Sequence, residues 1–126
     1  MSELQEQEML VNYIEVNYPE ILPVSTLNGF KLPIGLAVKA ARLNKKRGIP
    51  DLIILEPKGK YHGLMIELKR TGEKIYKKNG ELYENDHLKE QDKILRHLRS
   101  RMYYARFCIG FEEARDVLNK YMNGEV

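Results

Sequence analysis

Residues 48–69 read GIPDLIILEPKGKYHGLMIELK, and the fold turns on this stretch. Two aliphatic runs are separated by Pro57, Gly59 and Gly63. Apolar runs this short, bounded by proline and glycine, read as buried strands. Asp51 to Glu56 (DLIILE) and Gly63 to Lys69 (GLMIELK) are therefore expected to be neighbouring strands, with a turn at Lys58-Gly59-Lys60. Pairing them antiparallel brings the start of the first strand to the end of the second, so Asp51 comes near Glu67. Side chains alternate along a strand; Glu67 and Lys69 share one face while Leu68 points into the core. Two carboxylates and an ammonium converge on one patch.

The flanking sequence supplies elements to cover this pair. Ser2 and Gln5 have capping-box spacing, and a helix to about Asn17 puts Leu10, Tyr13 and Ile14 on one side before Pro19 stops it. Ile21 to Leu27 reads as a short strand closed by a turn at Asn28-Gly29. Pro33 can open a helix carrying Leu36, Ala37, Ala40, Ala41 and Leu43, expected to end at Gly48. Around Asn79-Gly80, the segments Lys74-Ile75-Tyr76 and Glu81-Leu82-Tyr83 predict a β-hairpin inserted at residues 72–84. A helix from about Asp86, a strand over Tyr103 to Ile109 and a helix over Phe111 to Met122 complete the chain. The order predicts an α/β fold with a central mixed sheet flanked by helices.

Composition narrows the function. The 126 residues, 43% hydrophobic and 31% charged, suit a single globular domain over 1–126 and exclude a disordered chain. One cysteine, Cys108, excludes an internal disulfide framework and, with three histidines, argues against a Cys/His zinc site. The N-terminus has no signal-peptide pattern and no run is long enough to span a bilayer, so a cytoplasmic location is expected. Net charge is only +3, but it is unevenly spread. Residues 1–20 carry five glutamates and no Lys or Arg. Lys39, Arg42, Lys45, Lys46 and Arg47 form one acid-free block, and Lys93, Arg96, Arg99, Arg101 and Arg106 another. Such blocks are candidate phosphate-binding faces, the plain alternative being solvated helix surface. Tyr103 and Tyr104 beside Arg101 and Arg106 can stack on bases, although strand aromatics ordinarily pack. His62 falls in a turn and reads as exposed, and Ser25 and Ser100 lack any His/Asp arrangement for a serine hydrolase.

The patch of Asp51, Glu67 and Lys69 fits a hard divalent cation, since Mg²⁺ takes oxygen ligands and binds through one or two carboxylates plus a substrate phosphate. The plain alternative is salt bridging at a sheet edge. Gly48-Ile49-Pro50-Asp51-Leu52 with Glu67-Leu68-Lys69 resembles the split Pro-Asp…Asp/Glu-x-Lys signature of the restriction-endonuclease-like nucleases. The fuller pattern is similar to the VRR-NUC group in its small stand-alone form. It comprises Ser2-Glu3 followed by Gln7, then Asn28-Gly29, Gly63-Leu64, Gln91 on a later helix, and Glu112-Glu113-Ala114 opening the last helix. The resemblance implies a restriction-endonuclease-like fold with Asp51, Glu67 and the main-chain carbonyl of Leu68 as ligands of Mg²⁺ or Mn²⁺. It makes Lys69 the catalytic lysine and Gln91 a supporting residue. The helix-one acid maps to Glu3, with Glu6 as the alternative. The activity implied is a metal-dependent endonuclease on branched DNA, similar to Holliday-junction resolvases and acting as a homodimer. Lys45, Lys46, Arg47, Arg96 and Arg99 are the expected DNA contacts. A monomeric flap or nicking nuclease, or a non-catalytic DNA-binding module on the same fold, are the alternatives. The hairpin at 72–84 departs from the family pattern and marks a DNA-contacting or dimer-contacting addition.

Overall fold

A computed structural model describes residues 1–26, 30–45 and 48–126. The elements run α1 (Glu3–Asn17), β1 (Pro23–Ser25), α2 (Ile34–Leu43), β2 (Leu52–Ile54), β3 (Leu64–Lys69), α3 (Asp86–Ser100), β4 (Tyr104–Ile109) and α4 (Gly110–Met122). The strands form one mixed sheet in the order β1-β2-β3-β4. β2 runs antiparallel to both β1 and β3, whereas β4 joins β3 in parallel after the α3 crossover. The predicted class and element order are those observed.

Two cores sandwich the sheet. On one face α1 and α4 bury Leu10, Ile14, Leu118 and Tyr121 against Leu52, Ile54, Leu64, Ile66 and Leu68. On the other, α3 lays Leu88 and Leu95 over Met65, Ala105 and Phe107, with Ile75 closing the end. β3 is consequently buried on both faces along its whole length. Glu67 and Lys69 sit in the interior of the sheet, not at an edge. The capping box expected at Ser2 and Gln5 is present, with both reciprocal bonds made.

Several elements differ from the sequence expectation, and β2 is the shorter Leu52–Ile54 rather than Asp51 to Glu56. β1 is confined to Pro23–Ser25, because Ile21 turns into the core ahead of it, and Leu27, Asn28 and Gly29 lie outside the described residues. α2 stops at Leu43 rather than reaching Gly48. The backbone leaves the helical region at Asn44 (φ −113°, ψ 75°), whose side-chain amide also donates to the Ala40 carbonyl at 3.2 Å. None of the α2 side chains is fully buried; Ile34 is 85% and Leu43 83% exposed. The excursion at 72–84 does turn at Asn79-Gly80, where Gly80 has φ +89°, but it makes one ladder bridge, Tyr76 to Leu82, instead of two full strands. Among the described residues, no helix is long and apolar enough to cross a membrane.

Candidate functional site

The carboxyl end of β3 gathers side chains from four parts of the chain. Leu52 pairs with Ile66, so Asp51, one residue before β2, stands across from Glu67. The Leu68 N–H donates to Asp51 Oδ2 at 2.9 Å and fixes that carboxylate. Gln91 on α3 bridges the other two groups. Its Nε2 donates to Glu67 Oε1 at 2.6 Å, and its Oε1 accepts from Lys69 Nζ at 2.8 Å. Lys69 Nζ also lies 3.9 Å from Glu67 Oε1 and 3.9 Å from Glu73 Oε2. Asp51, Glu67, Lys69 and Gln91 are thus brought together, all buried.

Gly48 makes the arrangement possible. Its φ is +85°, and a Cβ there would lie 3.0 Å from the Glu90 carbonyl oxygen and 3.2 Å from Gln91 Cα. Only glycine lets the segment leading into Asp51 run against the helix that carries Gln91.

The helix-one acids separate cleanly. Glu6 is buried and spent on structure. Its Oε2 accepts from the Thr71 N–H (2.7 Å), while its Oε1 accepts from the Thr71 hydroxyl (2.5 Å) and the Phe111 N–H (3.1 Å). Burial acts to raise its pKa, but these donors outweigh that and hold it below the usual glutamate value. Gly110, with φ +80°, opens α4 against this same knot, and any Cβ there would strike Thr71 Oγ1. Glu3 instead feels the site. Burial and then the Asp51 charge raise its pKa, while Lys69 opposes them.

Burial and mutual charge disfavour ionising both carboxyls of the cluster. Burial first, and the neighbouring Asp51 charge second, push Glu67 up to about 9, with Lys69 pulling the other way. Burial likewise raises Asp51, against a hydrogen bond shared with the Glu67 carboxyl, the Leu68 amide and Lys69. His87, at the start of α3, also lowers Asp51, a contribution that the sequence did not signal. Glu67 Oε2 is buried and, among the described residues, accepts no hydrogen bond. Buried carboxylate oxygens are rarely left so, because desolvation without a partner is costly. Among the described residues, no group of three or more His, Cys, Asp or Glu side chains could hold a metal ion. Asp51 and Glu67 alone make a two-carboxylate donor set, the kind that could hold a cation such as Mg²⁺, which keeps part of its water shell, rather than a fully caged ion.

The expected DNA contacts are dispersed. Lys45 is exposed beyond α2, and Lys46 and Arg47 lie outside the described residues. Arg96 projects from α3 paired to Asp92 at 3.1 Å. Arg99 Nη1 donates to the Ala105 carbonyl at 2.7 Å, along the outer edge of β4. His62 is exposed and packs edge-on to Tyr103, and Cys108 is a core thiol that burial pushes up to about 12.

An open mixed sheet covered by helices on both faces, with acids at the ends of its central antiparallel pair, defines an α/β fold of the restriction-endonuclease-like class. A solved structure described as "VRR_NUC domain protein" matches 98% of this chain and 89% of its own, at 25% identity and a TM-score of 0.68. With the motifs of Asp51 and of Glu67 to Lys69 in place, the chain is similar to a VRR-NUC domain over nearly its whole length, which supports a nuclease-type domain. No protein-family model and no curated protein matches it.

Proposed function

We propose that the protein is a metal-dependent endonuclease that hydrolyses phosphodiester bonds in branched DNA, resembling a Holliday-junction resolvase. The observation that carries this is the buried Asp51–Glu67 pair, tied through Gln91 to Lys69, with one carboxylate oxygen left unpartnered. Asp51, Glu67 and the Leu68 carbonyl would hold Mg²⁺ or Mn²⁺, with Glu3 near enough to add an outer charge. A cation held there would supply Lewis-acid chemistry, polarising the scissile phosphate and acidifying a bound water. Lys69 supplies positive charge where the phosphate gains negative charge in the transition state, and orients the incoming water. Gln91 keeps the ammonium and the Glu67 carboxylate in register, so neither swings away between turnovers. The new P–O bond forms to water as the bridging P–O bond breaks.

Branched substrate is the favoured class because backbone contacts read shape without base edges. The dispersed cations Lys45, Arg96 and Arg99 suit that kind of binding. A two-fold homodimer matches the symmetry of a four-way junction and would cut opposite strands. The test is to incubate the protein with a four-way junction, a flap and a linear duplex, each in Mg²⁺, Mn²⁺ or EDTA. Junction cleavage that needs the cation supports the reading. Cutting of the flap alone would favour a monomeric flap nuclease, and binding without cutting a non-catalytic module.

A further inference from the structure

We propose that the groove along the outer edge of β4 takes an unpaired nucleobase beside the cleavage site, with Tyr76 as its stacking platform. This rests on the nuclease reading above and names a substrate feature for it. The groove holds about 600 Å³, the scale of pockets that enclose a small ligand such as one nucleotide. Its walls are aromatic and cationic: Tyr61, Tyr76, Tyr103 and Tyr104 with Lys60 and Arg99.

The excursion at 72–84 builds the upper wall. Ile75 is buried in the second core and anchors it, which leaves the next residue, Tyr76, 51% exposed. Tyr76 stands edge-on to Phe107, with ring centres 6.4 Å apart at 81°. The Phe107 ring lies in turn 6.0 Å from Lys69 Nζ. Since Ile109 pairs with Lys69, the groove ends beside the catalytic cluster.

An added β-strand is the competing occupant, because β4 lies at the edge of the sheet. That edge is already closed by side chains. Arg99 donates to the Ala105 carbonyl at 2.7 Å, Arg106 Nε to the Phe107 carbonyl at 3.0 Å, and the Ile109 N–H donates to Glu113 at 2.8 Å. With these groups occupied, the edge offers a peptide little to pair with. Arg106 is further neutralised by Glu113 at 2.6 Å. Among the described residues, Arg99 and Lys60 have no carboxylate partner, so the groove keeps positive charge for a phosphate. Aromatic faces with cations at the rim are how single-stranded nucleic acid is held without sequence preference.

The test is fluorescence anisotropy in Ca²⁺ with two labelled branched DNAs. One carries a single unpaired thymine at the branch, and the other an abasic site at that position. Wild-type protein should bind the thymine form about tenfold more tightly, the effect of one base–aromatic stack. Tyr76→Phe should keep that ratio and Tyr76→Ala should bring it close to one. A wild-type ratio near one, which needs no variant to fold, would overturn the proposal. So would a Tyr76→Ala ratio equal to wild type. Failure of wild-type protein to bind either DNA would sink the nuclease reading itself, whereas binding without base preference removes only the groove.

Discussion

Glu67 carries the chemistry in the proposed reading, and its protonation has a measurable sign. Burial and Asp51 raise it from an ordinary 4.5 to about 9. Between those values the folded, metal-free protein holds a proton that the unfolded chain releases. Stability is then fully present below about 4.5 and falls as pH climbs towards about 9. Thermal melts in EDTA at pH 6 and pH 8 should show this loss, and Glu67→Gln should shrink it; an unchanged slope would contradict the assignment. Glu6 differs, since its three donors depend on ionisation. Glu6→Ala should cost about 2–4 kcal/mol in a denaturant titration, because it strips the Thr71 and Phe111 donors of a buried charged acceptor. That Asp51, Glu67 and Lys69 converge was legible from strand alternation and short apolar runs. The choice between Glu3 and Glu6 was not, because they share a helical side and the partners of Glu6 lie at Thr71 and Phe111, far along the chain.

Elements were legible where local chemistry sets them and blurred where distant contacts do. The capped α1, the β2–β3 pair and the turn at Asn79-Gly80 follow from residues next to one another. The end of α2 does not follow from the glycine beyond it, because the backbone leaves the helical region earlier, at Asn44. Its apolar stripe was also readable, but periodicity reports that a face is apolar and not what covers it. Ile34→Ser and Leu43→Ser, at exposed positions, should therefore shift the unfolding free energy by less than about 0.5 kcal/mol. Gly48 gives the opposite case. Read as a helix terminator, it is instead the point where the segment before Asp51 meets α3. Gly48→Ala should destabilise by about 1–3 kcal/mol, since it combines a left-handed backbone with a close approach to Glu90. Because the strain falls on the contact with Gln91, cleavage should drop further than DNA affinity. Equal losses in both would show that the glycine serves folding alone.

At the scale of the whole molecule, a sheet with one buried acidic end and scattered surface cations separates chemistry from binding. DNA affinity should fall linearly with salt on a log–log plot, as expected when Lys and Arg displace counterions from phosphates. Competitor structure should matter more than competitor sequence. Lys69→Ala should slow the chemical step about 100- to 1000-fold, the usual effect of losing one group that stabilises transition-state charge. The most direct measurement of the central claim is made on Glu67→Gln, with cleavage of a labelled four-way junction in Mg²⁺ alongside a gel shift of the same junction in Ca²⁺. The account predicts binding at about the wild-type level together with loss of cleavage, because the amide keeps the shape of the carboxyl but is a poorer ligand for the cation. Cleavage at near wild-type rate by a variant that binds normally would contradict it.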